Sequence, residues 1–154
     1  MGEIELELPW PPSVNHYYGR HGNRTFIAKR GVEYREIVNS IFKRKYPDMK
    51  PIDSLVKLHC LFFPPDNRKR DLGNLDKCLL DALTKAGVWT DDSLVDDQRF
   101  RRARNEDGSL HVVNDGLVIV EIDLFYYCYN GLPRPKMPRS ICDPDFIIND
   151  NDDN

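Results

Sequence analysis

The sequence predicts a single α+β domain in which a mixed sheet of about four strands carries two packed helices. Three features predict it. The N-terminus alternates apolar and acidic residues with period two, two later stretches place apolar residues at helical spacing, and a strongly apolar run lies near residue 120. Read along the chain the elements follow the order β-α-β-α-β-β, which fits an α+β layer arrangement. The 154 residues suffice for one domain of ordinary size, and no internal repeat is present.

Each element has its own justification. Residues 3–8 alternate without a break, with Ile4, Leu6 and Leu8 on one side and Glu3, Glu5 and Glu7 on the other, which predicts a half-buried strand. Pro9, Pro11 and Pro12 end it, and residues 13–25 are rich in turn formers and read as a basic loop. Tyr34, Ile37, Val38, Ile41 and Phe42 recur at helical spacing, with Arg35, Lys43 and Arg44 among the polar remainder, and Pro47 closes this first helix. Residues 54–63 predict a second strand with Val56, Leu58, Cys60 and Phe62 on one face, stopped by Pro64 and Pro65.

A second helix is predicted over 74–86 with Gly87 as its C-cap. Leu75, Leu79, Ala82, Leu83 and Ala86 form its apolar stripe, and Asn74, Lys77, Asp81 and Lys85 share the opposite face. Residues 93–102 predict a strand with an acidic start. Residues 117–127 predict a strand apolar on both faces near its centre, hence central in the sheet. The domain is expected to span 1–128. Residues 129–154 hold four prolines and end in the run NDNDDN, a Pro-rich and then acidic tail expected to be disordered, without core contribution after about Ile141.

Hydrophobic residues make up 40% of the chain and charged residues 31%, enough apolar material for a core. No apolar run reaches the roughly 18 residues a membrane span needs, so no membrane partner is expected. The acidic, alternating start does not read as a signal peptide. The four cysteines (Cys60, Cys78, Cys128, Cys142) share no CxxC spacing, and a reduced, cytoplasmic protein is expected. The net charge of −3 is unevenly spread. Residues 16–70 carry 13 Lys/Arg against 5 Asp/Glu, a local balance of +8, and residues 143–154 carry 5 Asp and no base. A basic block beside acidic clusters suits a phosphate-binding surface around a metal pocket, and equally a solvated helix face with an acidic tail.

Chemistry concentrates in residues 68–92, RKRDLGNLDKCLLDALTKAGVWTDD. Three bases run into Asp71, a helix follows, and Asp91 and Asp92 come after Trp89. A helix of about 13 residues carries the chain about 20 Å away. The Asp pair rejoins Asp71 only if the loop after Gly87 folds back. If it does, carboxylates from two segments make a hard oxygen site for Mg²⁺ or Mn²⁺ beside bases that hold a phosphate backbone. Taken singly, an Asp before a helix is an N-cap and a DD pair is a solvated turn.

Four segments resemble the RusA family of Holliday junction resolvases, common in prophages: LPWPPSVNHYY (residues 8–18), RDLGNLDK (70–77), LLDALTKAGVW (79–89) and DDSLV (91–95). The resemblance covers residues 4–124 in the same order. It implies a small homodimer that binds four-way DNA junctions and nicks two opposed strands, using Mg²⁺ or Mn²⁺ held by acidic residues. It also implies that Asp71 is the first aspartate of the family's D-x-D-N motif, Asn74 its asparagine, Lys77 its functional lysine and Asp92 its catalytic aspartate. The expected catalytic residues are therefore Asp71, Lys77 and Asp92, and the expected metal ligands Asp71, Asp91 and Asp92. Arg20, Arg24, Lys29, Arg30, Arg68, Lys69, Arg70, Asn74 and Lys85 are expected to contact DNA.

Gly73 departs from the family, which has its second aspartate there. Side chains two apart on extended backbone share a side, so Gly73 removes a carboxylate that would stand beside Asp71. Asp76 lies about 140° around an ideal helix from Asp71 and is a poor substitute, whereas Asp91 could be recruited. The site is either lean and active or decayed, the second alternative being a junction-binding protein without cleavage. Trp10 and Trp89 are expected as core anchors and Cys78 near the polar helix face. His16 and His21 are expected to be idle in the basic loop, His59 packed or edge-exposed, and His111 without a role. Arg99, Arg101 and Arg102 are candidates for the DNA surface or for solvated strand ends.

Overall fold

The computed structural model describes residues 3–124 and the backbone of residues 128–129 and 132–133. Four strands form one mixed sheet: β1 (Ile4–Pro9), β4 (Val56–Phe63), β5 (Val95–Arg102) and β6 (Leu117–Leu124), in the order β1-β6-β4-β5. Strand β6 is central, as its two-sided apolar pattern predicts. It pairs antiparallel with β1 and with β4, while β4 and β5 run parallel.

The period-two pattern decides which face is covered. Ile4, Leu6 and Leu8 of β1, Val56, Leu58, Cys60 and Phe62 of β4, and Val118, Val120 and Ile122 of β6 all lie in one buried cluster. Two helices supply its other wall. Helix α2 (Lys29–Lys45) buries Tyr34, Val38 and Phe42, and α3 (Gly73–Ala86) buries Leu75, Leu79, Ala82, Leu83 and Ala86. The opposite sheet face carries Glu5, Glu7, His59, Leu61 and Glu121, and Leu61 is 36% exposed. Gly87 ends α3 at φ +80, the left-handed conformation its C-cap position requires. Trp89 is buried behind it and donates its indole N–H to Thr84 Oγ1 at 2.7 Å.

Residues 13–25 are not an irregular loop. They form a one-turn helix, α1 (Val14–Tyr17), and a hairpin of β2 (Tyr18–His21) and β3 (Arg24–Ile27) turning through Gly22 at φ +59. Gly31 lets α2 approach α1 closely, since a Cβ there would meet the Tyr17 carbonyl oxygen at 2.8 Å. The sheet is entered from a 3₁₀ turn at Asp92–Leu94 before β5. A two-residue pair, β7 (Cys128–Tyr129) with β8 (Leu132–Pro133), straddles the expected boundary at 128. Apart from Tyr129, Leu132 and Pro133, which this pair holds, the tail expected to be disordered lies outside the described residues. Among the described residues no helix is long and apolar enough to cross a membrane.

Candidate active site

Between β4 and α3 the chain wraps around Asp66. Its carboxylate accepts two bonds from the Arg68 guanidinium, at 2.9 and 2.8 Å, and two from Arg70, at 2.6 and 2.7 Å. These partners, Arg70 first and then Arg68, hold the Asp66 carboxyl well below the usual carboxylate range. Arg70 also lies over the Trp10 ring, 5.8 Å from its centroid. Asp71 then opens α3. Its Oδ1 accepts the Gly73 amide at 3.0 Å and its carbonyl accepts the Asn74 amide at 3.2 Å. The N-cap of α3 is Leu72, so Asp71 closes a turn just before the helix, and it is exposed and keeps oxygen lone pairs toward solvent.

Asp71 lines a cleft of about 530 Å³ built from four separate segments. The N-terminal segment contributes Trp10, Pro11, Pro12, Ser13, Asn15 and His16, α2 contributes Arg30, the loop contributes Pro65 and residues 68–71, and α3 contributes Asn74 and Leu75. Ser13 Oγ and His16 Nδ1 lie 2.8 Å apart at the edge of this cleft. The start of a 14-residue helix faces it, where the helix dipole favours an anion.

Asp91 and Asp92 lie elsewhere. Asp91 Oδ1 accepts the Ser93 amide at 2.9 Å; the Ser93 hydroxyl first, and then this amide, keep its carboxyl below the ordinary value, and Asp92 begins the 3₁₀ turn. The loop after Gly87 does not fold back along α3. Ile52 and Trp89 form a parallel bridge that leads the chain into β5 at the start of β4, where Val95 pairs with Val56. Asp71 sits at the opposite end, because Arg102, the last residue of β5, donates to the Arg70 carbonyl at 2.5 Å. The eight residues of β5 span about 26 Å. Among the described residues no group of three or more His, Cys, Asp or Glu could hold a metal ion. A single chain therefore does not bring Asp71, Asp91 and Asp92 together, and a site for Mg²⁺ or Mn²⁺ built on all three does not fit within it.

The flank of α3 is organised by residues to which the sequence assigns no role. The buried Tyr17 donates its hydroxyl to Asp81, and Arg35 Nε donates to the Tyr17 oxygen at 2.6 Å and to Asp81 Oδ2 at 2.8 Å. Burial first, and then Asp81, raise the Tyr17 pKa and keep its hydroxyl protonated. This triad ties α1 and α2 to α3. Beside it the Lys77 ammonium lies 5.6 Å from the centroid of the Tyr18 ring, on an otherwise exposed side chain. The same cover overturns the placement of Cys78, which is fully buried, with its thiol pushed up to about 12 chiefly by burial.

The expected DNA contacts divide in the same way. Arg30, Arg68, Lys69, Arg70 and Asn74 line the Asp71 cleft. Arg68 and Arg70 share the single Asp66 carboxylate, which offsets one of their two charges, while Lys69 is exposed and makes no ion pair among the described residues. Arg20 and Arg24 lie on the hairpin, and Lys29 pairs with Glu33 at 3.6 Å. Lys85 lies in the last turn of α3, at the far end. Trp89 is a core anchor, whereas Trp10 is only half-buried, packing edge-on against Phe62 and lining the cleft. His59 is half-buried, with its Nε2 buried and without a hydrogen-bond partner among the described residues. Asp66 carries no motif of its own, although an Asp two and four residues before two arginines is the readable signal for such a clamp.

The segments that build the cleft are those shared with known proteins. A family profile described as endodeoxyribonuclease RusA matches residues 9–122. The crossover junction endodeoxyribonuclease RusA of Shigella sonnei (strain Ss046) is 43% identical over 102 residues, covering 64% of this chain and 82% of that protein. The protein of the same name from Escherichia coli (strain K12) is 42% identical, and that of Enterobacteria phage 82 is 43% identical, each over the same shares. With the match running through the Trp10 loop, Asp71, α3 and the Asp91–Asp92 turn, the chain belongs to the RusA family of endodeoxyribonucleases.

Proposed function

We propose that this protein is a crossover junction endodeoxyribonuclease that nicks opposed strands of four-way DNA junctions as a homodimer with Mg²⁺ or Mn²⁺. The observation that carries this reading is the cleft in which Asp71, Arg30, Lys69 and the start of α3 meet, within the segments shared with proteins of that name. A phosphodiester seated there meets positive charge from Arg30 and Lys69 and from the positive end of the α3 dipole. Lys77, one turn into α3 and steadied by Tyr18, is the group to stabilise charge developing on the phosphate or leaving oxygen. Asn74 donates or accepts at the cleft wall and orients the backbone. Contacts of this kind read phosphate geometry rather than bases, so junction shape carries the affinity.

The divalent ion belongs to the reading through the family, and when bound it would activate water and offset phosphate charge. Of the three expected ligands only Asp71 lines the cleft, so the steps assigned here belong to the protein's own side chains. Gly73 favours a second reading, a junction binder whose nuclease site has decayed. A labelled synthetic four-way junction and a linear duplex of the same sequence separate the two. Paired nicks in the junction alone, in Mg²⁺ or Mn²⁺ and abolished by chelation, are expected. Junction binding without nicks under every ion would replace the enzyme by the binder, and equal binding to both DNAs would remove both readings.

A further inference from the structure

Lys77 has one acidic neighbour on its own helix face, and that neighbour is already engaged. Of the positions three and four residues from Lys77 on α3, Gly73, Asn74 and Leu80 are uncharged and Asp81 alone is acidic. We propose that Arg35 of α2 is a positioning residue: together with Tyr17 it holds the Asp81 carboxylate, and so keeps the Lys77 ammonium free to meet the phosphate. This rests on the proposed nuclease function and deepens it, since it names a residue outside the cleft on which the work of Lys77 depends.

Three observations carry it. First, side chains four apart on a helix stand close enough for opposite charges to pair. Among the described residues Lys77 nevertheless forms no ion pair. Its ammonium lies instead at the Tyr18 ring, 5.6 Å from the centroid. Second, three donors converge on one oxygen of Asp81. Arg35 Nε and Nη2 reach Oδ2 at 2.8 and 2.5 Å, and the Tyr17 hydroxyl donates to the same atom. The guanidinium is the one full positive charge among them. The Asp81 side chain is only 27% exposed, and a carboxylate so covered is costly to leave unpaired. Without Arg35 it would draw the cation one turn away, which is Lys77. Third, the triad and the lysine share a support. The Tyr17 and Tyr18 rings meet edge to face with centroids 4.9 Å apart, and the Arg35 guanidinium lies over the Tyr17 ring at 5.5 Å. The bonds that fix Tyr17 to Asp81 therefore also steady the ring at which Lys77 rests. Loss of Arg35 acts twice: it uncovers the charge of Asp81 and loosens the ring that holds Lys77 away from it.

The test compares nicking of a labelled four-way junction by Arg35→Gln, which keeps a polar side chain without its charge, and by Arg35→Gln/Asp81→Asn, which removes the captor as well. Capture of Lys77 in about nine molecules of ten leaves one in ten competent, so a loss of about tenfold is expected in the single variant. Junction affinity is expected to hold, because the cleft is untouched. The double variant is expected to regain at least about half of the wild-type rate. A second arm needs no cleavage. The Lys77 ε-methylene proton resonance, assigned with Lys77→Arg, is displaced upfield by the Tyr18 ring in the wild type. It is expected to move to the position of an exposed lysine in Arg35→Gln and to return in the double variant. An Arg35→Gln protein that nicks at the wild-type rate, or a double variant as inactive as the single one, overturns the proposal. So does a Lys77 resonance that stays in place while nicking falls, which makes Arg35 a tie between helices only. Should Arg35→Gln not fold, Arg35→Lys is the milder form of the same test, because its ammonium holds the carboxylate with fewer bonds. A smaller loss is then expected, again reversed by Asp81→Asn, and a loss that Asp81→Asn leaves unchanged overturns the proposal. If the wild type nicks nothing while the Lys77 resonance moves and returns as described, the nuclease reading fails and the positioning of Lys77 by Arg35 stands.

Discussion

At the start of α3 Asp71 accepts the amide of Gly73, and beyond its end Asp91 accepts the amide of Ser93, each carboxylate closing a turn two residues long. The surroundings differ. Asp71 shares its cleft with Arg30, Lys69 and the start of α3, while Asp91 and Asp92 sit on an exposed 3₁₀ turn at the entry to an edge strand. One end is built to receive an anion and the other to present one. The sequence neighbourhood is the same for both, so what separates them is the direction of β5, parallel to β4 and therefore entered at the end remote from Asp71.

Breaking the far end by its foundation gives the largest effect. Trp89→Ala removes a side chain that is 1% exposed and anchors the turn through Thr84. It is expected to cost about 3–5 kcal/mol in a urea titration, and a loss under about 1 kcal/mol would show that the turn holds itself. The chemistry should break at either end. Asp71→Asn is expected to lower nicking at least about 10²-fold, equivalent to roughly 2.7 kcal/mol. Junction affinity should stay equal or rise, because a charge that repels phosphate is gone. Loss of binding in step with cleavage would make Asp71 a structural turn residue and nothing more.

The comparison also shows what the sequence conveys. Strands β1, β4 and β6 bury every second residue on one face, so alternation alone reveals them, and the apolar stripe of α3 does the same for a helix. The hairpin of β2 and β3 escaped because it has almost no buried residues and hence no alternation to read. That omission propagates. The segment leading into the hairpin covers the flank of α3, which is why Cys78 is buried and Asp81 bonds Tyr17 rather than water. For the site, residue types were legible and their placement was not. Local sequence gives Asp71, Lys77 and Asp92, but only the strand order shows that two of them face different ends.

At the cleft end, the pairing of Asp66 with Arg68 and Arg70 withholds two charges from any phosphate. Asp66→Ala is expected to release them and to tighten junction binding at low salt. If each arginine then neutralises one phosphate, the slope of log affinity against log salt steepens by up to about two. Arg70 would still donate to the Arg68 and Asp66 carbonyls, so it is the less freely released of the pair. An unchanged slope would mean that both arginines already leave Asp66 when DNA arrives.

The smallest change in stability is expected from Gly73→Asp, which sharpens the contrast between the two ends by adding acid to the basic one. Space is available, since a Cβ at Gly73 meets Asp71 Oδ1 at 3.5 Å, an ordinary contact, and the backbone there is not left-handed. Two small effects oppose each other. An acid in the first turn of α3 suits the helix dipole by about 0.3–1 kcal/mol, and repulsion from Asp71 takes away a comparable amount. A net shift within about 0.5 kcal/mol by thermal unfolding is therefore expected. The informative reading is cleavage against Mg²⁺ concentration. If wild-type Asp71 works with carboxylates from elsewhere, the added one should lower the Mg²⁺ needed for half-maximal nicking while the wild type remains active. If the wild type nicks no branched DNA in Mg²⁺ or Mn²⁺ and Gly73→Asp does, the cleft has kept its grip on junctions and lost its chemistry at this one position.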